Sequence, residues 1–257
     1  MRFCKDLLGI QRQTTNIGVL LELGRTPIML FAKKNCIKNW GRFHLEGKAN
    51  NILLTSHINS IENNSKWSNA VRDCLDRIGI GGNTHNRLVH LSAMKRMADI
   101  FHQEAFEKIN SEGSKLRAYA KRKLKVGFER YLSSMKNVAK RIAVTKIRLS
   151  NHELMIEKGR HQGLELGQRN CPLCLENSKC LLEDELHLLL VCNTFSHLRE
   201  ILFGASKQCV QRFEHLNNAE KLNHLLSNEN LMIHTGEFLI KALGVRNVLM
   251  NKHKNRV

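Results

Sequence analysis

The chain has 257 residues, 41 Lys and Arg against 23 Asp and Glu, a formal net charge of +18, and 42% hydrophobic residues. With 2 Pro, 16 Gly and a mean hydropathy of −0.34, this composition excludes a disordered tail and suits a soluble protein with one large or two modest cores. Aromatic residues make up only 5% and β-branched clusters are few, while Leu, Lys, Asn and Glu abound, so an all-β fold is excluded in favour of an all-α, multi-helix one.

Taken in chain order, the start, MRFCKDLLGIQRQ, has only short apolar runs broken by Lys5, Asp6 and Gln11. It is neither a secretory leader nor an 18-residue membrane span, which predicts a cytoplasmic and nuclear protein with no membrane partner. A short helix through Val19, Leu20 and Leu23 is expected to stop at Gly24, where a left-handed cap favours a residue without Cβ. Thr26-Pro27 reads as a helix start, and Ile28, Phe31, Cys36, Ile37 and Trp40 carry a helix from about 27 to 40. The stretch 50–65 holds five Asn among sixteen residues and reads as a loop around one apolar turn, Ile52-Leu53-Leu54. From Trp67, the positions Val71, Cys74, Leu75 and Ile78 give a helix ended by Gly79-Ile80-Gly81-Gly82. A further helix over about 85–110 places Leu88, Leu91, Met94, Ala98, Phe101, Ala105 and Ile109 on one side, as core, before a connector at 111–114.

Charge then concentrates. Residues 115–148 contain twelve Lys or Arg and one acid, Glu129, giving this segment +11 and leaving +7 for the other 223 residues. Leu116, Ala120, Leu124, Phe128, Tyr131, Met135, Val138 and Ile142 step by three or four, the stripe of a helix with one buried side, breakable at Gly127 or Ser133-Ser134. A surface of this charge suits a polyanion, RNA or DNA, with Lys115, Arg117, Lys121, Arg122, Lys123, Lys125, Lys136, Lys140 and Arg141 as the expected phosphate contacts. The competing reading is a helix that is only solvated.

The strongest chemical signal follows. Cys171-x2-Cys174-x12-His187-x4-Cys192 offers three thiolates and an imidazole at spacings that suit a tetrahedral Zn²⁺. Glu183-Asp184-Glu185 places acids at the first turn of the helix carrying His187. His187 and Cys192 lie about 140° apart on an ideal helix, so that helix must end or distort near Cys192, with Asn193 as terminator. Cys180 can replace one ligand or stand as a free thiol; it forms no close pair. Four protein ligands fill the zinc shell and make the site structural. From Cys171 to Glu200 five acids outnumber two bases, so the module is a poor phosphate clamp by itself. Cys4, Cys36, Cys74 and Cys209 are isolated and read as buried apolar residues. Helical patterns return at 219–226 and 231–250, before the basic residues Lys252, Lys254 and Arg256. Only five Asp occur, none adjacent to another, and no phosphate-binding loop or nucleophile motif is present, so the chain reads as non-catalytic.

Residues 115–132 (KLRAYAKRKLKVGFERYL), 147–161 (IRLSNHELMIEKGRH), 170–174 (NCPLC), 183–192 (EDELHLLLVC) and 196–199 (SHLR) together resemble the carboxy-terminal region of reverse transcriptase polyproteins of LINE-type, non-LTR retrotransposons. Residues 18–30 (GVLLELGRTPIML) resemble the stretch that follows the polymerase there. The family often has Pro after the last cysteine, where this chain has Asn193, and no polymerase or endonuclease motif is present. The resemblance implies a Cys-Cys-His-Cys zinc module that binds template RNA or target DNA during target-primed reverse transcription, detached here from an upstream polymerase domain. It implies four regions: 1–112, a helical post-polymerase region; 113–165, a basic helical segment; 166–204, the zinc module; and 205–257, C-terminal helices and a basic tail. A zinc-containing protein-interaction scaffold is the alternative.

Overall fold

The computed structural model describes residues 1–46, 51–80, 87–175 and 181–254, and it is all-α. In chain order the helices are α1 (Arg2–Leu8), α2 (Asn16–Glu22), α3 (Ile28–Glu46), α4 (Asn51–Glu62), α5 (Lys66–Arg77), α6 (Arg87–Asn110), α7 (Arg117–Ala120), α8 (Tyr131–Ser134), α9 (Val138–Arg148), α10 (Met155–His161), α11 (Pro172–Leu175), α12 (Ser196–Cys209), α13 (Asn218–Ser227) and α14 (Glu229–Lys254). The described residues contain no sheet; extended pairing is limited to two isolated antiparallel bridges, Leu23 with Phe128 and Asn170 with Leu182. No described helix is long and apolar enough to cross a membrane. Contacts divide the chain into residues 25–108 and a larger unit made of 1–24 with 109–257. The four regions drawn from the sequence therefore regroup: residues 113–257 are one body, and the first 24 residues join it.

In the unit of residues 25–108, Ile37, Trp40, Val71, Leu75, Ile78, Ala93 and Met97 form the core. The stretch read as a loop is α4. Its inward positions are Leu54, His57 and Ile61, at helical spacing, while Ile52 and Leu53 lie outside. The loop reading failed because the central buried residue is a histidine, His57, whose ring stands edge-on to Trp40 at 4.6 Å; burial lowers its pKa. Ser65, whose hydroxyl accepts from Ser68 N at 3.1 Å, caps α5. In α6 Ala105 and Ile109 are buried as expected, whereas nearer its start Ala93 and Met97 are the buried positions and Leu91 is half exposed. Cys36 and Cys74 here, and Cys4 in the other unit, are half-buried and Cys209 is exposed, against the expectation of buried thiols.

In the larger unit, α14 packs against α9, α12 and α13. The approach of α14 to α9 is close: a Cβ at Gly236 would lie 2.9 Å from the Lys140 carbonyl. The basic segment is not one helix. It breaks over 121–130 and again at 135–137 into α7, α8 and α9, leaving Leu124, Phe128 and Val138 exposed instead of core. A buried charge decides this. Glu22 is fully buried at the end of α2 and is met by Arg148 (Nε to Oε1, 2.7 Å) and by the Tyr131 hydroxyl, which donates at 2.6 Å. On one straight helix Tyr131 and Arg148 would stand about 25 Å apart; here the Arg148 guanidinium lies 5.4 Å from the Tyr131 ring, so the chain folds back between them.

Gly24 follows α2 with φ +59, and a Cβ there would strike the backbone of Gly127 and Phe128. Gly24→Ala should therefore lower stability by more than the ~1–2 kcal/mol of a left-handed non-glycine residue, read as a lower denaturation midpoint at unchanged denaturant slope.

Candidate metal centre

The cysteine segment is organised by its own backbone. Cys171 N donates to Leu181 O at 2.7 Å and Glu183 N to Arg169 O at 3.0 Å, so residues 169–171 and 181–183 run against each other. Cys174 N bonds back to Cys171 O at 3.1 Å, the tight turn that brings two thiols to one side. Residues His187–Val191 then form a π-helical turn, with Cys192 N donating to His187 O at 2.8 Å. That five-residue bond supplies the distortion the spacing demanded: an ideal helix puts residues five apart on different faces, and the wider turn returns Cys192 above His187. The chain leaves the helix at Cys192 itself (φ −57°, ψ 119°), one residue earlier than Asn193, which opens a 3₁₀ turn instead.

The result is a buried cluster of Cys171, Cys174, His187 and Cys192 whose ligand atoms all lie within 4.8 Å of one another. Cys174 Sγ is 3.4 Å from His187 Nε2 and 3.7 Å from Cys192 Sγ, far beyond a disulfide bond. Such a cluster can hold a metal ion. Its electrostatics point the same way. The hydrogen bond from Cys171, followed by those from His187 and Thr194, pushes the Cys192 thiol down to about 3 against the effect of burial. Sharing that proton with Cys192, and then burial, push Cys171 up; burial and the Cys192 charge raise Cys174. A cation held among them would favour the thiolate form of all three cysteines. Cys180 lies outside the described residues.

Around the cluster, Asp184 caps the π turn, accepting from His187 N at 2.8 Å. The other two acids are not solvated first-turn charges. Glu183 is buried in a two-point pair with Arg246 of α14 (both 2.7 Å), and Glu185 faces His152 at 3.1 Å. Arg199, from α12, donates to Leu189 O at 3.0 Å and Cys192 O at 2.6 Å, holding the carbonyls at the exit of the turn. None of Arg199, Arg246 or His152 was singled out from the sequence; a ligand module with this many buried acids was the available signal.

The expected phosphate contacts separate. Lys121, Lys125 and Lys136 are exposed, and among the described residues no ion pair involves them. Arg117 is exposed and lies 3.9 Å from Glu157. Lys115 is half-buried, Lys140 pairs with Glu237 at 2.9 Å, and Arg141 donates to Met135 O at 3.1 Å. Arg122 is half-buried against the Ala118 carbonyl, and burial pulls its pKa down to about 10. Lys123 is a correction: it is buried, donating to Gly127 O at 2.7 Å and paired with Glu129, and offers no surface charge. No family model, no curated protein and no solved structure matches this chain.

Proposed function

We propose that the chain is a zinc-stabilised, non-catalytic nucleic-acid-binding protein of the kind found at the carboxy-terminal end of LINE-type reverse transcriptase polyproteins, where RNA or DNA would be held beside an upstream polymerase domain. The observation that carries the reading is the buried Cys3His cluster, joined in one unit to exposed, unpaired cations. A tetrahedral zinc with bonds of about 2.3 Å to sulfur and 2.0–2.1 Å to nitrogen sets its ligands about 3.8 Å (S to S) and 3.5 Å (S to N) apart; Cys174 stands 3.7 Å from Cys192 and 3.4 Å from His187, and all four ligand atoms lie within 4.8 Å of one another. Four protein ligands complete that shell, so the ion would organise the fold and not activate water. The order of the resembling segments along the chain supports the family assignment.

The polyanion would meet Lys121, Lys125 and Lys136, with Arg130 a fourth exposed cation in the same stretch of sequence. Replacing those three lysines by alanine should weaken RNA and DNA binding with the melting temperature unchanged. The slope of log affinity against log salt should fall by about 2–3, at 0.7–0.9 per phosphate lost. The loss should be similar on unrelated sequences, since phosphate contacts do not read bases. Fluorescence anisotropy across a salt series measures both. An unchanged affinity and slope would remove the nucleic-acid reading from this surface, and absence of any salt-sensitive binding would favour a protein-interaction scaffold.

A further inference from the structure

A polar recess lies at the end of α9. There Asn151 N donates to Lys146 O (2.8 Å) and Ser150 N to Ile147 O (3.3 Å), a helix-ending turn whose left-handed residue is commonly glycine. In this chain it is Ser150, at φ +51° and 3% exposed. The serine holds a backbone conformation that glycine would take freely, and it lines a recess of about 280 Å³. His152 and Glu157 line it too. His152 uses Nε2 on Glu185, and Glu157 uses Oε2 on Arg160 at 2.7 Å. Ser150 Oγ, His152 Nδ1 and Glu157 Oε1 are all buried with no hydrogen-bond partner, although Glu157 Oε1 stands 3.9 Å from the Arg117 guanidinium. Buried polar atoms are nearly always paired, so three in residues that line one recess point to a place where polar groups are received. Lys115 and Lys158 also line it, and so does a second acid, Glu153, so the lining carries two lysines and two carboxylates.

These groups constrain the ligand. A carboxylate oxygen only accepts, so the ligand must offer a hydroxyl or N–H to Glu157. Two carboxylates and two lysines on one lining suit a molecule that carries both hydroxyl donors and an anionic group. No Phe, Tyr or Trp lines the recess, leaving the imidazoles of His152 and His161 as its only rings, and its volume is at the small end for ligand sites. A sugar whose hydroxyls lie beside a phosphate meets all of this, and an acidic side chain on the ribose 2′-hydroxyl is a recurrent contact. From this geometry we infer that the recess binds the ribose–phosphate of a ribonucleotide and gives the chain a preference for RNA over DNA, the 2′-hydroxyl being the group that separates the two. This deepens, and rests on, the nucleic-acid reading above.

The test titrates the zinc-loaded, ¹⁵N-labelled full chain with AMP, dAMP and ribose 5-phosphate, and compares matched single-stranded RNA and DNA by anisotropy. AMP and ribose 5-phosphate should shift the amides of residues 150–158, with dAMP binding about tenfold more weakly, the effect of one net hydrogen bond. RNA should bind more tightly than DNA. Ser150→Gly should keep or raise the melting temperature, because it relieves the left-handed serine, while weakening AMP about tenfold and narrowing the RNA–DNA difference. Lys158→Ala should weaken AMP in the same way. Equal AMP and dAMP affinity, or no amide shift at millimolar AMP, overturns the inference; if salt-sensitive binding of oligonucleotides persists in that case, the nucleic-acid reading stands, and if it is absent both fall. Binding of ribose 5-phosphate without any RNA preference would identify a metabolite site and overturn the RNA assignment.

Discussion

Removing the metal is expected to unfold the whole of residues 1–24 with 109–257, and not the cysteine segment alone. Cys171, Cys174 and Cys192 belong to the same buried cluster as Val144 and Ile147 of α9, Leu202 of α12 and Leu231 and Leu239 of α14. The Glu183–Arg246 pair ties the ligand loop to α14 as well. Structural zinc contributes about 10–16 kcal/mol in small modules, which equals or exceeds the ~5–15 kcal/mol total stability of an ordinary domain. Cys174→Ser or His187→Ala should therefore abolish the cooperative melting transition of this unit, and a strong chelator should do the same to the unmutated protein. Elemental analysis of the purified chain should return one zinc per chain, and Cys180→Ser should retain it. Loss of zinc from the Cys180 variant with retention in Cys192→Ser would show that the ligand set is drawn wrongly.

The second large effect concerns Glu22 and Arg148, neither of which belongs to the Cys3His cluster. Arg148 is 2% exposed and pairs with Glu22 and with Glu129 at 2.9 Å, while also donating to the Leu226 carbonyl. Removing one partner of such a pair strands the other charge without water, so Arg148→Met should cost about 3–5 kcal/mol in chemical denaturation. Adding Glu22→Leu should recover part of that loss, because replacing both charges by apolar groups leaves no buried ion unpaired. The pair also sets an acid limit. Burial alone would raise the Glu22 carboxyl, but the Arg148 charge and hydrogen bond, with that of Tyr131, outweigh it and hold the group below the usual carboxylate range. A depressed folded-state pKa gives stability that is complete above the unfolded value, about 4.3, and is lost as pH falls through the folded one. Stability should accordingly drop below that pH in the unmutated protein, with a shallower drop in the doubly apolar variant.

Much of this molecule is written locally. Ligand spacing is a local property: two thiols from one tight turn and a five-residue step from His187 to Cys192 announce both the cluster and the need for a distorted helix, and the π turn is that distortion. The cap at Gly24 and the helices from Ile28, Lys66 and Asn218 follow from side-chain period and turn chemistry in the same way. What a local reading cannot distinguish is a charge that faces water from one that faces a buried partner. Arg148 and Lys123 look in sequence like the rest of the basic segment, yet the acid that buries Arg148 is 126 residues away, and satisfying it breaks what the apolar stripe described as a single helix. His57 is the same lesson in reverse, a polar residue placed at the core by its aromatic neighbours. Period and spacing act over one or two turns, so the sequence determines elements and ligands; the pairing of buried charges acts across the whole chain, so only the tertiary structure decides which cations remain to meet a polyanion.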